Sequence, residues 1–202
     1  MRTILLIAAL GTIMVGCQNK QSLKSDYQTV AQDPTRDTPA AAELNCQARK
    51  LLDECNLDQA EQTLKAALRA DLFYGPAHNN LGTVYYRQKK LYLAAWEYQY
   101  ACKLMPKAAE PRFNLGMVFE AVGKLADAEQ AYSDAYAMDS DTPEIAASLA
   151  RLQIRAGHKD DKTRELLTMV VMRDERPQWV QWAKDQLAMM GQPSSTTRPY
   201  QE

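Results

Sequence analysis

The sequence predicts an all-α fold built from stacked helix-turn-helix units. Two stretches of the same pattern, Asn80-Leu81-Gly82-x-x-Tyr85 and Asn114-Leu115-Gly116-x-x-Phe119, stand 34 residues apart. Only eight of the 202 residues are glycine, and the aliphatic, alanine-rich composition favours helices over a β-sandwich or a barrel. A unit of this length cannot bury an apolar face alone, so the period indicates that neighbouring units stack around a shared core.

The repeated pattern resembles the signature of the tetratricopeptide repeat. The second halves of the two units also match: Ala94, Tyr98, Ala101 and Pro106 correspond to Ala128, Tyr132, Ala135 and Ser140. The resemblance implies a right-handed superhelix of helix pairs, whose inner groove is lined by the first helix of each pair. It further implies a scaffold that holds other proteins and catalyses no reaction.

The N-terminus resembles the signal peptide of a bacterial lipoprotein. Arg2 precedes an apolar run from Ile4 to Val15, which has the length of a secretory signal. The stretch Met14-Val15-Gly16-Cys17 is similar to a lipobox, which implies that residues 1–16 are removed and that Cys17 is lipidated. The alternatives are an ordinary signal peptide with an incidental cysteine, and a plain membrane anchor, for which the run is short.

The resemblance to lipoproteins also favours a location. Acyl chains on Cys17 would anchor the protein stably to a membrane. In Gram-negative families an aspartate after the lipidated cysteine favours the inner membrane, and here the residue is Gln18. We therefore expect the outer membrane, with the domain facing the periplasm. Residues 17–40 are polar and are expected to form a flexible tether, and residues 191–202 a disordered tail.

The repeat register divides the remaining sequence into four units and a final helix. The units are 41–74, 75–108, 109–142 and 143–176, and the capping helix is 177–190. Prolines near each predicted first-helix start support this division, because proline at the first helical position loses no hydrogen bond. These prolines are Pro39, Pro76, Pro111, Pro143 and Pro177.

Within this register, small residues are expected where helices cross, and large apolar residues in the remaining core positions. The small residues include Ala48, Gly82, Gly116 and Ala150, and the large ones include Leu64, Tyr98, Tyr132 and Leu166. The apolar stripe of the last helix, which contains Trp179, Ala183 and Leu187, is expected to cap the stack. The alternative places Trp179 and Trp182 at a membrane surface.

Charge, histidine and cysteine content argue against several other classes of protein. The 24 basic and 25 acidic residues nearly balance, so no nucleic-acid partner is indicated. No catalytic motif and no metal-ligand spacing occurs, and no cofactor is expected; His78 is predicted to pack in the core and His158 to lie in solvent. Cys46, Cys55 and Cys102 are expected to be small buried thiols. Cys46 and Cys55 lie roughly 12–14 Å apart along a helix and its turn, beyond disulfide reach.

The resemblance assigns a partner-binding surface to the groove-facing positions of the first helices. The residues predicted to bind a partner are Asn45, Arg49, Asn79, Asn80, Thr83, Tyr86, Arg87, Phe113, Asn114, Met117, Arg151 and Arg155. Asn80 and Asn114 occupy the same place in successive units, so they are predicted to stack as a ladder that binds a peptide backbone. The alternative is that asparagine at this place only bonds a neighbouring helix.

The other predicted groove residues supply apolar contacts and positive charge. Tyr86, Phe113 and Met117 are expected to anchor apolar side chains, and the four arginines to receive carboxylates. The subclass that clamps a C-terminal carboxylate with a lysine pair is not expected, because that pair is missing and Glu110 occupies a groove position.

Together the two resemblances imply a lipid-anchored scaffold of the cell envelope that binds an extended segment of another protein. Pilus assembly and the assembly of a secretion apparatus are the expected settings. The alternatives are an adaptor that recruits cell-wall enzymes and a self-associating structural lipoprotein.

Overall fold

The structure is a computed structural model that describes residues 36–191. Within this range the chain forms nine α-helices and no β-strand. The helices are α1 (Thr38–Asp53), α2 (Leu57–Ala70), α3 (Gly75–Arg87), α4 (Leu91–Leu104), α5 (Ala109–Ala121), α6 (Leu125–Met138), α7 (Pro143–Arg155), α8 (Asp161–Arg173) and α9 (Pro177–Met190). The signal peptide, Cys17, nearly all of the predicted tether and most of the predicted tail lie outside the described residues.

The helices pack in consecutive pairs. The pairs are α1 with α2, α3 with α4, α5 with α6 and α7 with α8, and α9 packs on α8. Each second helix also contacts the first helix of the next pair, and α3 contacts both α1 and α5. The first helices therefore adjoin along one side of the stack, which we call the first-helix face. The predicted superhelix of four helix-turn-helix units and a C-terminal capping helix is confirmed.

Most of the predicted unit starts coincide with the start of a helix. The helices that begin at predicted unit boundaries are α3 at Gly75, α5 at Ala109, α7 at Pro143 and α9 at Pro177. In α3, α7 and α9 a proline stands at one of the first two helical positions, where its fixed φ suits the helix and its missing N–H leaves no bond unmade.

Helix α1 is the exception, because it begins at Thr38 and thus inside the predicted tether of residues 17–40. The Asp37 side chain accepts a hydrogen bond from the Ala40 N–H at 3.0 Å and caps the helix. Pro39 presets the backbone of the first turn. Because of this capping side chain and this proline, the helix begins three residues before the first predicted unit, which starts at residue 41.

The two helices of a unit approach closely at the predicted small residues. A Cβ atom added to Gly82 would lie 2.7 Å from the Tyr98 ring, and one added to Gly116 would lie 2.6 Å from the Tyr132 ring. The equivalent pairs of the outer units are Ala48 with Leu64 and Ala150 with Leu166, all of them buried. The prediction of small residues at the crossings is confirmed. Glycine stands opposite a tyrosine ring in the two central units, whereas alanine stands opposite leucine in the two outer units.

The turn inside each unit uses a residue in the left-handed backbone region. These residues recur every 34 positions: Cys55 (φ 59°), Lys89 (φ 62°), Gly123 (φ 77°) and Gly157 (φ 89°). At the end of α1, the Cys55 N–H donates to the Leu52 carbonyl and the Asn56 N–H donates to the Leu51 carbonyl. This is the Schellman arrangement, which satisfies the last free carbonyls of the helix.

Buried apolar side chains form two clusters along the stack. The first contains residues of α1 to α4 together with Val118 of α5. The second begins with Phe113 of α5 and extends to Ala183 of α9. Trp179 and Trp182 pack against the second cluster, as the capping role of α9 requires. Helix α5 contributes to both clusters and therefore connects the two halves of the stack.

The expectation of buried cysteines is wrong for two of the three. Cys46 and Cys55 are exposed, and Cys102 is half-buried. Cys46 directly follows the buried Asn45 and lies about 100° further round α1, which turns it away from the core. Cys55 occupies the exposed turn described above.

Candidate partner-binding face

Four of the predicted partner-binding residues of the first two units line one pocket on the first-helix face. Asn45 and Arg49 come from α1, Asn79 and Asn80 from α3, and Glu110 from α5. We call this cavity of about 250 Å³ the amide pocket. The three first helices bring these side chains together because positions one unit apart adjoin along the stack.

Hydrogen bonds between asparagines connect the first helices across the amide pocket. Asn80 Nδ2 donates to Asn45 Oδ1 at 2.7 Å, and Asn114 Nδ2 donates to Asn79 Oδ1 at 2.9 Å. Asn79 Nδ2 donates in turn to Glu110 Oε1 at 3.0 Å. The predicted ladder of Asn80 with Asn114 is therefore wrong. The asparagine side chains that meet across neighbouring first helices are 35 positions apart. Asn80 therefore pairs with Asn45 of the preceding unit, and Asn114 pairs with Asn79.

This pairing divides the predicted asparagines into two groups. Asn45, Asn79 and Asn114 are buried, so bonding between helices accounts for them. Asn80 is only half-buried, and its Oδ1 accepts no hydrogen bond from residues 36–191. Arg49 is exposed and forms no ion pair within the described part of the chain. The amide pocket thus offers the Asn80 amide oxygen and the Arg49 cation to a partner, beside the exposed Glu110 carboxylate.

A second pocket lies further along the first-helix face. We call this cavity of about 430 Å³ the aromatic pocket. Its lining includes the predicted residues Tyr86, Phe113, Met117, Arg151 and Arg155. It extends from α3 across α5 to α7, so that it follows the amide pocket along the stack.

The centre of the aromatic pocket is an ion pair between α5 and α7. Both Arg151 Nη atoms donate to the Glu120 carboxylate, with Nη2 at 2.8 Å from Oε2, and the Tyr132 hydroxyl donates to the same oxygen at 3.1 Å. Burial alone raises the pKa of Glu120, but the hydrogen bonds and charge of Arg151 outweigh this and lower that pKa. Burial and the Glu120 charge raise the pKa of Tyr132. Glu120 is therefore ionised at neutral pH.

The arginines predicted to receive carboxylates differ in what they contact. Arg151 is held by Glu120, and Arg87 donates from Nη1 to the Leu52 carbonyl of α1 at 2.7 Å. Arg155 is exposed, with Nη1 4.0 Å from Glu120. Arg49 and Arg155 are thus the cations on this face that a partner reaches most easily.

Two residues of the site have roles that the repeat pattern did not predict. Thr83 accepts a hydrogen bond from the Tyr98 hydroxyl at 3.1 Å and lines neither pocket, so it holds helices of one unit together. Tyr132 belongs to the second helix α6, yet its ring reaches the aromatic pocket. The signal for Tyr132 is Gly116, because the missing Cβ lets the ring pass between the helices.

The two histidines have the predicted environments. His78 is buried, with Nδ1 2.6 Å from Glu97 Oε2 and Nε2 2.8 Å from the Leu72 carbonyl oxygen. His158 is exposed in the turn before α8. Among residues 36–191, no three His, Cys, Asp or Glu side chains are grouped so as to hold a metal ion. No helix in this range is both long enough and apolar enough to cross a membrane.

Comparison with known proteins identifies the fold. No family model matches the chain, and no curated protein matches its sequence. PilF of Pseudomonas aeruginosa has a similar structure, with a TM-score of 0.64 and 20% identity over 77% of this chain and 75% of that chain. The first tetratricopeptide-repeat domain of Spaghetti (RPAP3), bound to the HSP90 peptide SRMEEVD, has a TM-score of 0.58 and 20% identity over 61% of this chain and 98% of that chain.

A third similar structure is the Yersinia enterocolitica type III secretion chaperone SycD in complex with a peptide of the translocator YopD. Its TM-score is 0.52, with 18% identity over 57% of this chain and 93% of that chain. At such identities the likeness concerns the fold alone. Residues 36–191 therefore have the tetratricopeptide-repeat fold.

Proposed function

We propose that this protein is a lipid-anchored adaptor of the cell envelope that holds an extended segment of a partner protein on its first-helix face. The observation that carries the proposal is the succession of two pockets along this face. The amide pocket offers Arg49 and the Asn80 Oδ1, which is unpaired among residues 36–191, and the aromatic pocket offers Met117 and the exposed Arg155. Polar and apolar contacts thus alternate along one path.

An extended peptide fits this succession of contacts. Its backbone leaves N–H groups unpaired, and the Asn80 Oδ1 is an acceptor for one of them. Its side chains advance by about 3.3 Å per residue, and we propose that one segment places an acidic residue at Arg49 and an apolar residue at Met117. The RPAP3 and SycD complexes support this proposal, since each is a protein of this fold that holds a peptide.

The membrane anchor and the pathway rest on the sequence and on the similar proteins. The lipobox-like stretch that ends at Cys17 favours lipidation, and Gln18 favours the outer membrane. The fold shared with PilF and with a type III secretion chaperone favours assembly of a pilus or a secretion apparatus. We infer a periplasmic adaptor that acts in such an assembly.

Site-specific photo-crosslinking in living cells tests the partner-binding face. A crosslinking amino acid at Tyr86, in the aromatic pocket, is expected to capture one discrete partner band. The same amino acid at Gln130, exposed on α6, is the matched control and should not capture that band. Arg49→Glu combined with Arg155→Glu should reduce the band at least fivefold, whereas Lys184→Glu on the exposed side of α9 should not.

The proposal fails if the Tyr86 band is absent, if it also forms from Gln130, or if the double arginine variant leaves it unchanged.

A separate experiment tests the anchor. In Cys17→Ala cells, the protein is expected to leave the outer-membrane fraction of a sucrose gradient. An unchanged distribution between the membrane fractions would refute the lipid anchor without affecting the partner-binding face.

A further inference from the structure

A patch of large apolar residues lies on the outer side of the first two units, with all but the half-buried Tyr100 exposed. The patch comprises Leu72, Phe73, Tyr92, Leu93, Trp96 and Tyr100, from the turn after α2 and from α4. We call these six residues the aromatic patch. Tyr92 is 79% exposed and Trp96 is 62% exposed, so these side chains contribute little to the core. An exposed apolar cluster of this kind marks an interaction surface more often than a packing role.

The repeats themselves show that the fold does not require this patch. One unit further along, the equivalent positions hold Pro106, Lys107, Ala126, Asp127, Gln130 and Asp134. Trp96 also corresponds to Gln62 in the first unit. The first three units share the same helix pairing and the same buried alanines, yet among their second helices only α4 has large apolar residues at these positions. The patch therefore serves a purpose other than stacking.

The aromatic patch borders a groove between the second helices of the first two units. Leu68 and Arg69 of α2 form one wall, Trp96 and Tyr100 of α4 form the other, and Leu81 of α3 lies at the floor. We call this cavity of about 510 Å³ the α2–α4 groove. It is larger than either pocket of the first-helix face, and it is separate from both.

The charge around the α2–α4 groove is positive. Arg69 is exposed and has no ion-pair partner among residues 36–191. Lys65 is also at the rim, and its Nζ lies 2.6 Å from Glu61 Oε1. The acidic residue of the lining, Glu97, already bonds the buried His78 at 2.6 Å. A partner that covers the apolar walls therefore meets an unneutralised guanidinium, which favours an acidic residue.

The geometry of the walls favours a helix as the occupant. Leu93, Trp96 and Tyr100 are spaced by three and four residues, so they form one stripe along α4. An extended peptide would need side-chain partners for its backbone groups, as Asn80 offers in the amide pocket, but no asparagine or glutamine of residues 36–191 lines this groove. A helix buries an apolar stripe by side-chain packing alone. We propose that the α2–α4 groove binds an amphipathic helix of a partner protein, with acidic residues beside its apolar stripe.

A designed peptide tests this proposal on the full-length protein, purified in detergent. The probe is a fluorescein-labelled 16-residue amphipathic helix with a leucine stripe flanked by glutamates, and its control has lysines in place of the glutamates. Saturable binding of the acidic peptide is expected, measured by fluorescence anisotropy. Trp96→Gln should weaken it at least tenfold, and the fold tolerates this change because Gln62 and Gln130 occupy the equivalent places.

Charge reversal and a matched control complete the experiment. Arg69→Glu should weaken the acidic peptide at least threefold and make the lysine peptide the better ligand. Gln130→Ala, at the equivalent place on α6, should leave both affinities unchanged. The proposal is refuted if the acidic peptide shows no saturable binding, if Trp96→Gln binds it as the parent does, or if the lysine peptide binds the parent better. Self-association lost in Trp96→Gln, seen by sedimentation velocity, would instead assign the patch to a second copy.

Discussion

At Gly116 the absence of a side chain makes room for the ring of Tyr132. We expect Gly116→Ala to lower the free energy of unfolding by about 1–3 kcal/mol, because the new Cβ would lie 2.6 Å from a buried ring. In an open helical position the same change would stabilise the protein by about 1 kcal/mol. Urea unfolding measures the difference in the free energy of unfolding. A destabilised Gly116→Ala variant supports the close contact, and a stabilised one contradicts it.

A compensating variant separates overpacking from other causes of the loss. Gly116→Ala combined with Tyr132→Leu recreates the alanine and leucine found at Ala150 and Leu166. We expect the pair to recover part of the lost stability, although the hydrogen bond from Tyr132 to Glu120 is lost. A double variant less stable than the sum of both single changes would contradict the close contact as the cause.

Asp71 joins the end of α2 to the start of α1 through a buried carboxylate. Its Oδ2 accepts from the Thr38 hydroxyl at 2.6 Å, and its Oδ1 accepts from Arg36 Nε at 3.2 Å and from the Phe73 N–H at 3.0 Å. The Thr38 hydrogen bond, followed by the Arg36 bond and charge, lowers the pKa of Asp71 against the effect of burial. The carboxylate is therefore the form that stabilises the fold.

We expect Asp71→Asn to destabilise the protein at neutral pH by about 1–2 kcal/mol. Because the pKa is lowered on folding, the stabilisation is complete above the ordinary value of about 3.9 and is lost as the pH falls through the folded value. The difference between parent and variant should thus be constant from pH 7 to about pH 5 and shrink below pH 4. Urea titrations at pH 7 and pH 3 measure it, and an undiminished difference at pH 3 would contradict this account.

At the scale of the helices, the turn inside each unit has the same left-handed geometry whether or not glycine is present. We expect Cys55→Gly to raise the free energy of unfolding by about 0.5–1 kcal/mol, because glycine adopts positive φ without steric cost. The reciprocal change Gly123→Cys should destabilise by a similar amount, since open space around Gly123 leaves backbone strain as the main effect. Thermal unfolding of the two variants should shift in opposite directions; shifts of the same sign would contradict the strain.

The helices are the part of the fold that the sequence predicts best. Unit starts such as Gly75 and Ala109 follow from a period that core packing enforces, and prolines mark several of them independently. Helix α1 began earlier than predicted because Asp37 provides a cap outside the repeat register. Burial of single residues was predicted less well: Cys46 is one place along from the buried Asn45, and a cysteine suits either environment.

At the scale of the whole molecule, the repeat pattern locates the candidate face but not the bonds within it. A 34-residue register identifies Asn80 and Asn114 as equivalent, whereas the stacking brings residues 35 positions apart into contact. Which asparagine is free therefore depends on the offset between neighbouring helices, which is a property of the packed stack. The α2–α4 groove shows the same limit, since its walls come from two different units.

The two apolar clusters predict how the whole stack unfolds. In a stack where each unit contacts only its neighbours, a defect weakens the units around it more than those far away. Leu64 of α2 and Leu167 of α8 are both fully buried, and they belong to the first and the second cluster respectively. Replacing either with alanine should cost about 2–5 kcal/mol.

The helices that lose protection from hydrogen exchange should differ between these two variants of the full-length protein. Hydrogen exchange followed by mass spectrometry is expected to show weaker protection of α7 to α9 in Leu167→Ala, with α1 to α3 close to the parent. Leu64→Ala should give the reverse pattern. Helix α5 belongs to both clusters, so its protection should fall in both variants. An equal loss of protection along the entire stack would mean that α5 couples the halves into one cooperative unit.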